Sequence, residues 1–100
     1  MNLESAKLVT IIADEAIEAK ILDELRSVAV KGFTCTEARG EGLNTAHISS
    51  WEGKNVRIET LVSESKAKKI IEIMADKYLD KFGMIVFSSD VQIYRKERFN

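Results

Sequence analysis

Four short, β-branched apolar runs and two long amphipathic stretches alternate along the hundred residues, and their order restricts the chain to very few folds. The first run, AKLVTIIA (Ala6–Ala13), reads as a strand. Asp14 then offers an N-cap carboxylate to a helix expected over Glu15–Lys31. Ile17, Ile21, Leu25, Val28 and Ala29 recur there at spacings of three and four, one apolar stripe. Gly32 follows as the expected left-handed residue ending that helix. FTCTEAR (Phe33–Arg39) and NVRIETLV (Asn55–Val62) read as the second and third strands. Ser63 is placed to cap a second helix over Glu64–Phe82, with Ala67, Ile70, Ile71, Met74, Ala75 and Tyr78 as its inner stripe. Gly83 ends it, and MIVFSSDVQIYR (Met84–Arg95) supplies the fourth strand.

The order β-α-β-β-α-β, joined by two right-handed crossovers, predicts an α+β fold. Its sheet is antiparallel and four-stranded, with both helices on one face, the ferredoxin-like arrangement. Residues 1–100 form a single domain in this reading. A sheet with one wet face should alternate apolar and polar residues. Leu8, Val9, Thr10, Ile11 and Ile12 do not alternate, and neither do Met84, Ile85, Val86 and Phe87. Two helices cover one face only, so the other needs a second covering, and another copy of the chain is the expected one.

Charge and cysteine content narrow the function classes. Fifteen basic and sixteen acidic side chains leave a formal charge of −1, which gives a polyanion no electrostatic footprint, so no nucleic-acid partner is expected. An RNA-binding module of this fold would need exposed aromatics on its central strands, where Phe33 and Phe87 are isolated candidates. The lone Cys35 has no disulfide partner and the N-terminal run is too short for a signal peptide or membrane span, so a cytoplasmic protein is expected. Cys35 and His47 are twelve positions apart and do not form a ligand-spaced metal site, so no metal is expected. No Ser-His-Asp set, carboxylate pair or phosphate-loop motif marks an enzyme.

The connection between the second and third strands is unusually long for adjacent strands, and its entrance reads G-F-T-C-T-E-A-R-G-E-G (Gly32–Gly42). This run resembles the strand and loop entrance of the PII signal-transduction proteins, and V-R-I-E (Val56–Glu59) resembles the strand that leaves their T-loop. Y-L-D-K-F-G-M-I-V-F-S-S-D-V (Tyr78–Val91) lacks the glycine-rich phosphate loop of that family. It is similar instead to the PII-like group associated with bicarbonate transporters and carboxysomes.

The resemblance implies a homotrimer with a T-loop over about residues 40–54. It also implies a non-enzymatic regulator that binds an adenine nucleotide (AMP, cyclic AMP, ADP or ATP) between subunits. The implied nucleotide set is Thr34, Arg39, Gly40, Glu41, Gly42, Arg57, Ser88 and Ser89. A threonine hydroxyl can donate and accept beside a base. Arginine can fork onto phosphate, and glycine lets a phosphate approach backbone N–H groups. The terminal Arg95, Lys96 and Arg98 could reach a neighbour's phosphates. The loop interior is nearly neutral until Lys54, which favours a monophosphate or cyclic nucleotide over ATP. His47, Ile48 and Trp51 are the expected contacts to a target, a bicarbonate or other anion transporter that would recruit the protein to the membrane. The alternative is a CutA-like structural or metal-tolerance trimer without nucleotide sensing.

Overall fold

A computed structural model of the chain describes residues 2–41 and 54–94. The strands are β1 (Glu4–Asp14), β2 (Thr34–Ala38), β3 (Asn55–Val62) and β4 (Ile85–Ile93). The helices are α1 (Glu18–Ser27), entered through a 3₁₀ turn at Glu15–Ile17, and α2 (Glu64–Met74), continued by a π turn at Ala75–Leu79. The sheet order is β2-β3-β1-β4, with every neighbouring pair antiparallel. This is the expected α+β ferredoxin-like βαββαβ fold.

Pairing register assigns each residue to a face. Val9, Ile11 and Ala13 of β1 join Val56, Ile58 and Val62 of β3 on the helix side. There they form one core with Ile17, Ile21 and Leu25 beneath α1 and with Ala67, Ile70, Met74 and Tyr78 beneath α2. Both predicted N-caps form: Asp14 accepts from the Ala16 N–H at 2.7 Å, and the Ser63 hydroxyl accepts from the Lys66 N–H at 3.4 Å. The Glu15 N–H donates to the Lys54 carbonyl at 2.8 Å, tying the end of the long connection to the start of the first helical segment.

The end of α1 departs from expectation. The left-handed residue is Ala29, with φ 66°, and not Gly32. The Ala29 N–H donates to Arg26 and the Val30 N–H reaches back to Leu25, a Schellman closure that satisfies two terminal carbonyls. Ala29 is consequently exposed and leaves the apolar stripe, and the Lys66 ammonium donates to its carbonyl at 2.8 Å. A left-handed alanine costs about 1 kcal/mol that glycine avoids. Ala29→Gly is therefore expected to raise the melting temperature by roughly 4 °C or more, read by calorimetry. An unchanged or lowered midpoint contradicts the closure described.

The second helix also ends differently. Ile71, still within α2, is half-buried, and Ala75 is exposed where α geometry gives way to the π turn. From that turn the adjacent Lys77 and Tyr78 both reach the Glu24 carboxylate of α1, at 3.1 and 2.8 Å. Burial and the neighbouring Glu24 carboxylate push the Tyr78 hydroxyl up to about 12. Burial alone would lift the Glu24 carboxyl, but the bonds from Tyr78 and Lys77 outweigh it and hold it below the usual range.

Candidate functional site

The face opposite the helices is organised in rungs that cross the sheet. One runs Thr34 (β2), Glu59 (β3), Thr10 (β1), Phe87 (β4). The next, toward the long connection, runs Thr36, Arg57, Ile12, Ile85. On the other side lie Leu61, Leu8 and Ser89, then Ala6 and Val91, then Glu4 and Ile93. Among the described residues no helix covers this face, and Ile85, Phe87 and Leu61 are 43%, 40% and 36% exposed.

A cleft of about 560 Å³ opens on this face, within the size range of small-molecule sites. Leu8, Leu61, Val91 and Ile93 give it an apolar floor, and Lys31, Thr34 and Glu59 supply its charged and polar groups. Two contacts hold its rim. The Thr60 hydroxyl donates to the Gly32 carbonyl at 2.6 Å, fixing the approach to β2, and the Arg26 guanidinium lies 5.6 Å from the centre of the Phe33 ring. An apolar floor with a few convergent polar groups is the usual make-up of a small-molecule site.

The sequence-predicted residues divide by position. Thr34 lines the cleft, and Glu59 opposite it is engaged by Arg57: Nε and one terminal nitrogen of the guanidinium both donate to the same Glu59 oxygen, at 3.3 and 3.1 Å. Ser89 lies one rung away, across from Leu8, whereas Ser88 is across from Val9 and belongs to the helix side. Arg39, Gly40 and Glu41 are exposed just past the end of β2, about 13 Å or more along the strand from Thr34. Gly40 does not adopt a left-handed φ, and a side chain there would meet nothing within 4 Å. Gly42, His47, Ile48, Trp51, Arg95, Lys96 and Arg98 lie outside the described residues.

Lys31 and Leu61 enter the cleft without having been singled out from the sequence, and Glu59, quoted there as the end of the V-R-I-E strand, joins them. Their signal is the pairing register, which places Glu59 directly across from Thr34. A second cleft of about 410 Å³, lined by Ser5, Lys7, Glu64, Asp90 and Gln92, opens beside the start of α2 and contains none of the predicted residues. The Lys7 ammonium is already committed to Asp90, whose hydrogen bond raises its pKa. Cys35 is half-buried, and burial followed by a bond to Glu18 pushes its thiol up, away from the reactive thiolate. Among the described residues no three His, Cys, Asp or Glu side chains cluster as a metal site, and no helix is long and apolar enough to cross a membrane.

Comparison with known proteins bears on this architecture. A family profile described as Nitrogen regulatory protein P-II matches residues 6–98. No curated protein matches the chain. Among solved structures, a PII-like signalling protein from Thermus thermophilus is 36% identical, with each chain covered completely and a TM-score of 0.85. The protein CPII from Thiomonas intermedia, solved bound to ADP, AMP and acetate, is 23% identical; the match covers 95% of this chain and 94% of that one, with a TM-score of 0.84. CPII bound to ADP and bicarbonate aligns over 99% and 98% of the two chains at 23% identity, with a TM-score of 0.79. The profile match along almost the whole sequence, together with the full-length likeness to the Thermus protein, shows that this chain belongs to the P-II family of nitrogen regulatory proteins.

Proposed function

We propose that the protein is a nucleotide-responsive regulator whose copies assemble as a trimer, open faces inward, with an adenine nucleotide held in the cleft that each subunit contributes. The observation that carries this reading is the cleft itself, apolar-floored, edged by Thr34 and Glu59, and open on the face that no helix covers. The base would rest on Leu8 and Leu61 with its polar edge toward Thr34. The phosphates would extend along β2 toward Arg57, Arg39 and Gly40, at the foot of the long connection. Such a ligand must be extended, with an apolar-faced ring at one end and anionic charge at the other. ADP and AMP have that form, and the Thiomonas CPII structures contain both. Glu41, Gly42, Ser88 and Ser89 complete the proposed contacts, with Ser88 serving through a neighbouring copy because it faces away from its own cleft.

Binding acts by population shift: the ligand selects the conformation of the protein for which it has the higher affinity. His47, Ile48 and Trp51 then meet the target, for which we propose a bicarbonate or other anion transporter at the cytoplasmic membrane surface. The bicarbonate seen with CPII is in keeping with that choice. The role is binding and signalling, not catalysis.

Titration calorimetry with ADP, AMP, cyclic AMP and ATP tests the site. At least one is expected to bind, and saturation should raise the melting temperature by several degrees, since ligand at a hundred times Kd contributes about 2.7 kcal/mol. Arg57→Ala is expected to weaken binding by about tenfold or more, the loss expected for a charge-assisted phosphate contact. No heat from any of the four at millimolar concentration would rule the reading out.

A further inference from the structure

The buried hydroxyl of Thr10 has no hydrogen-bond partner among the described residues, and it stands in the rung that edges the cleft. Thr10 is 0% exposed although it lies on the uncovered face, with Glu59 on one side and Phe87 on the other. Buried polar groups are nearly always satisfied, so an orphan of this kind calls for a partner in some state of the protein. The register supplies one. Directly opposed residues of an antiparallel pair have Cβ atoms about 5 Å apart, within reach of a glutamate side chain. Glu59 is directly opposed to Thr10, and only one of its oxygens is used by Arg57.

Resting on the proposed nucleotide site, we infer that Glu59 is a two-position carboxylate and that Thr10 is the positioning residue for its second position. Without ligand, Glu59 engages the Arg57 guanidinium, as described above. When a phosphoryl group takes that guanidinium, the displaced carboxylate turns across the strand and accepts the Thr10 hydroxyl. Two things are gained together. Arg57 becomes available to the anion without leaving Glu59 unpaired beside it, and the orphan hydroxyl is satisfied only in the bound state. The exchange confines the cost of breaking the Arg57–Glu59 pair to a single side-chain rotation, because both acceptor positions lie on one face of the sheet. Thr10 touches neither nucleotide nor target; it acts through Glu59.

Thr10→Val keeps the shape and removes the hydroxyl. Calorimetry and thermal melts of wild type, Thr10→Val and Thr10→Ser with ADP decide the matter. Thr10→Val is expected to weaken ADP binding by about tenfold, the effect of losing a hydrogen bond to a charged group. Its ligand-free melting temperature should stay the same or rise, since an unsatisfied hydroxyl has been replaced by a methyl group. Thr10→Ser should restore most of the affinity. A merely structural threonine would move the ligand-free melt and the ADP affinity in the same direction, or neither. ADP affinity in Thr10→Val equal to wild type overturns the assignment while leaving the nucleotide site standing. Absence of ADP binding by wild type overturns the assignment, and absence of binding by all four nucleotides overturns the site as well.

Discussion

Phe87→Glu is expected to convert the assembly into single chains and to abolish ADP binding while leaving the subunit folded. Phe87 ends the rung that contains Glu59 and Thr10, and 40% of it is exposed on the uncovered face. A carboxylate there does little to an isolated subunit, because it can stay in water. In a trimer with inward-facing sheets, the same carboxylate loses its solvent against Ile85, Leu61 and their copies, and an unpaired buried charge costs several kcal/mol. Light scattering should fall from about 34 kDa to the 11.3 kDa of one chain, with an unaltered far-ultraviolet circular dichroism spectrum. ADP binding should vanish with the assembly, since one subunit supplies only one wall of the proposed site. Phe87→Glu protein that remains trimeric places the subunit contact elsewhere.

The other large effect concerns the opposite side of the same sheet. Ile11 is completely buried, faces the helices, and lies across from Ile58 on β3 and Val86 on β4. Ile11→Ala removes three carbons at the centre of the sheet, where backbone pairing on both sides prevents collapse. Such truncations cost about 2–5 kcal/mol, and this position belongs toward the upper end. That is a large share of the roughly 5–15 kcal/mol that a domain has in total. Urea unfolding at fixed protein concentration should show a markedly lower midpoint with the same slope. Ile12→Ala, one residue along and on the uncovered face, provides the contrast. Ile12 is only half-buried within its chain, so its loss should act mainly through assembly and grow more severe on dilution. Equal, concentration-independent costs at the two positions would contradict the division of faces.

Those two neighbouring isoleucines show how far the sequence could be read. Unbroken apolar runs in β1 and at the start of β4 announce that both faces are to be covered, and β3 forms over Asn55–Val62 as its composition implies. Asp14 and Ser63 cap where short polar side chains precede apolar periodicity. The end of α1 was not legible, because Ala29, a residue of high helix propensity, takes the left-handed position while a glycine lies three residues beyond. Tertiary contact decides it: the Lys66 ammonium on the Ala29 carbonyl and the Thr60 hydroxyl on the Gly32 carbonyl fix the path into β2.

The site was legible only in part, for a related reason. Thr34 stands out within T-C-T-E, but Thr10, Thr34, Glu59 and Phe87 are scattered through the chain and become one rung only when strand order and register are known. Nothing periodic links Lys31 to Leu61 or Val91, yet the cleft joins them. Resemblance to PII proteins pointed to the loop entrance, whereas the cleft lies at the other end of β2, beside Gly32.

The most direct test is an amide nitrogen–proton spectrum of the wild-type protein recorded with and without saturating ADP. The largest changes are expected at Lys31–Thr34, Glu59–Leu61 and Val91–Ile93, with a second group at Arg39 and Gly40 where the phosphates end. Changes confined to Ser5, Lys7, Glu64 and Asp90, or a spectrum that does not move with ADP or with any of the other three nucleotides, would contradict a nucleotide site on the uncovered face.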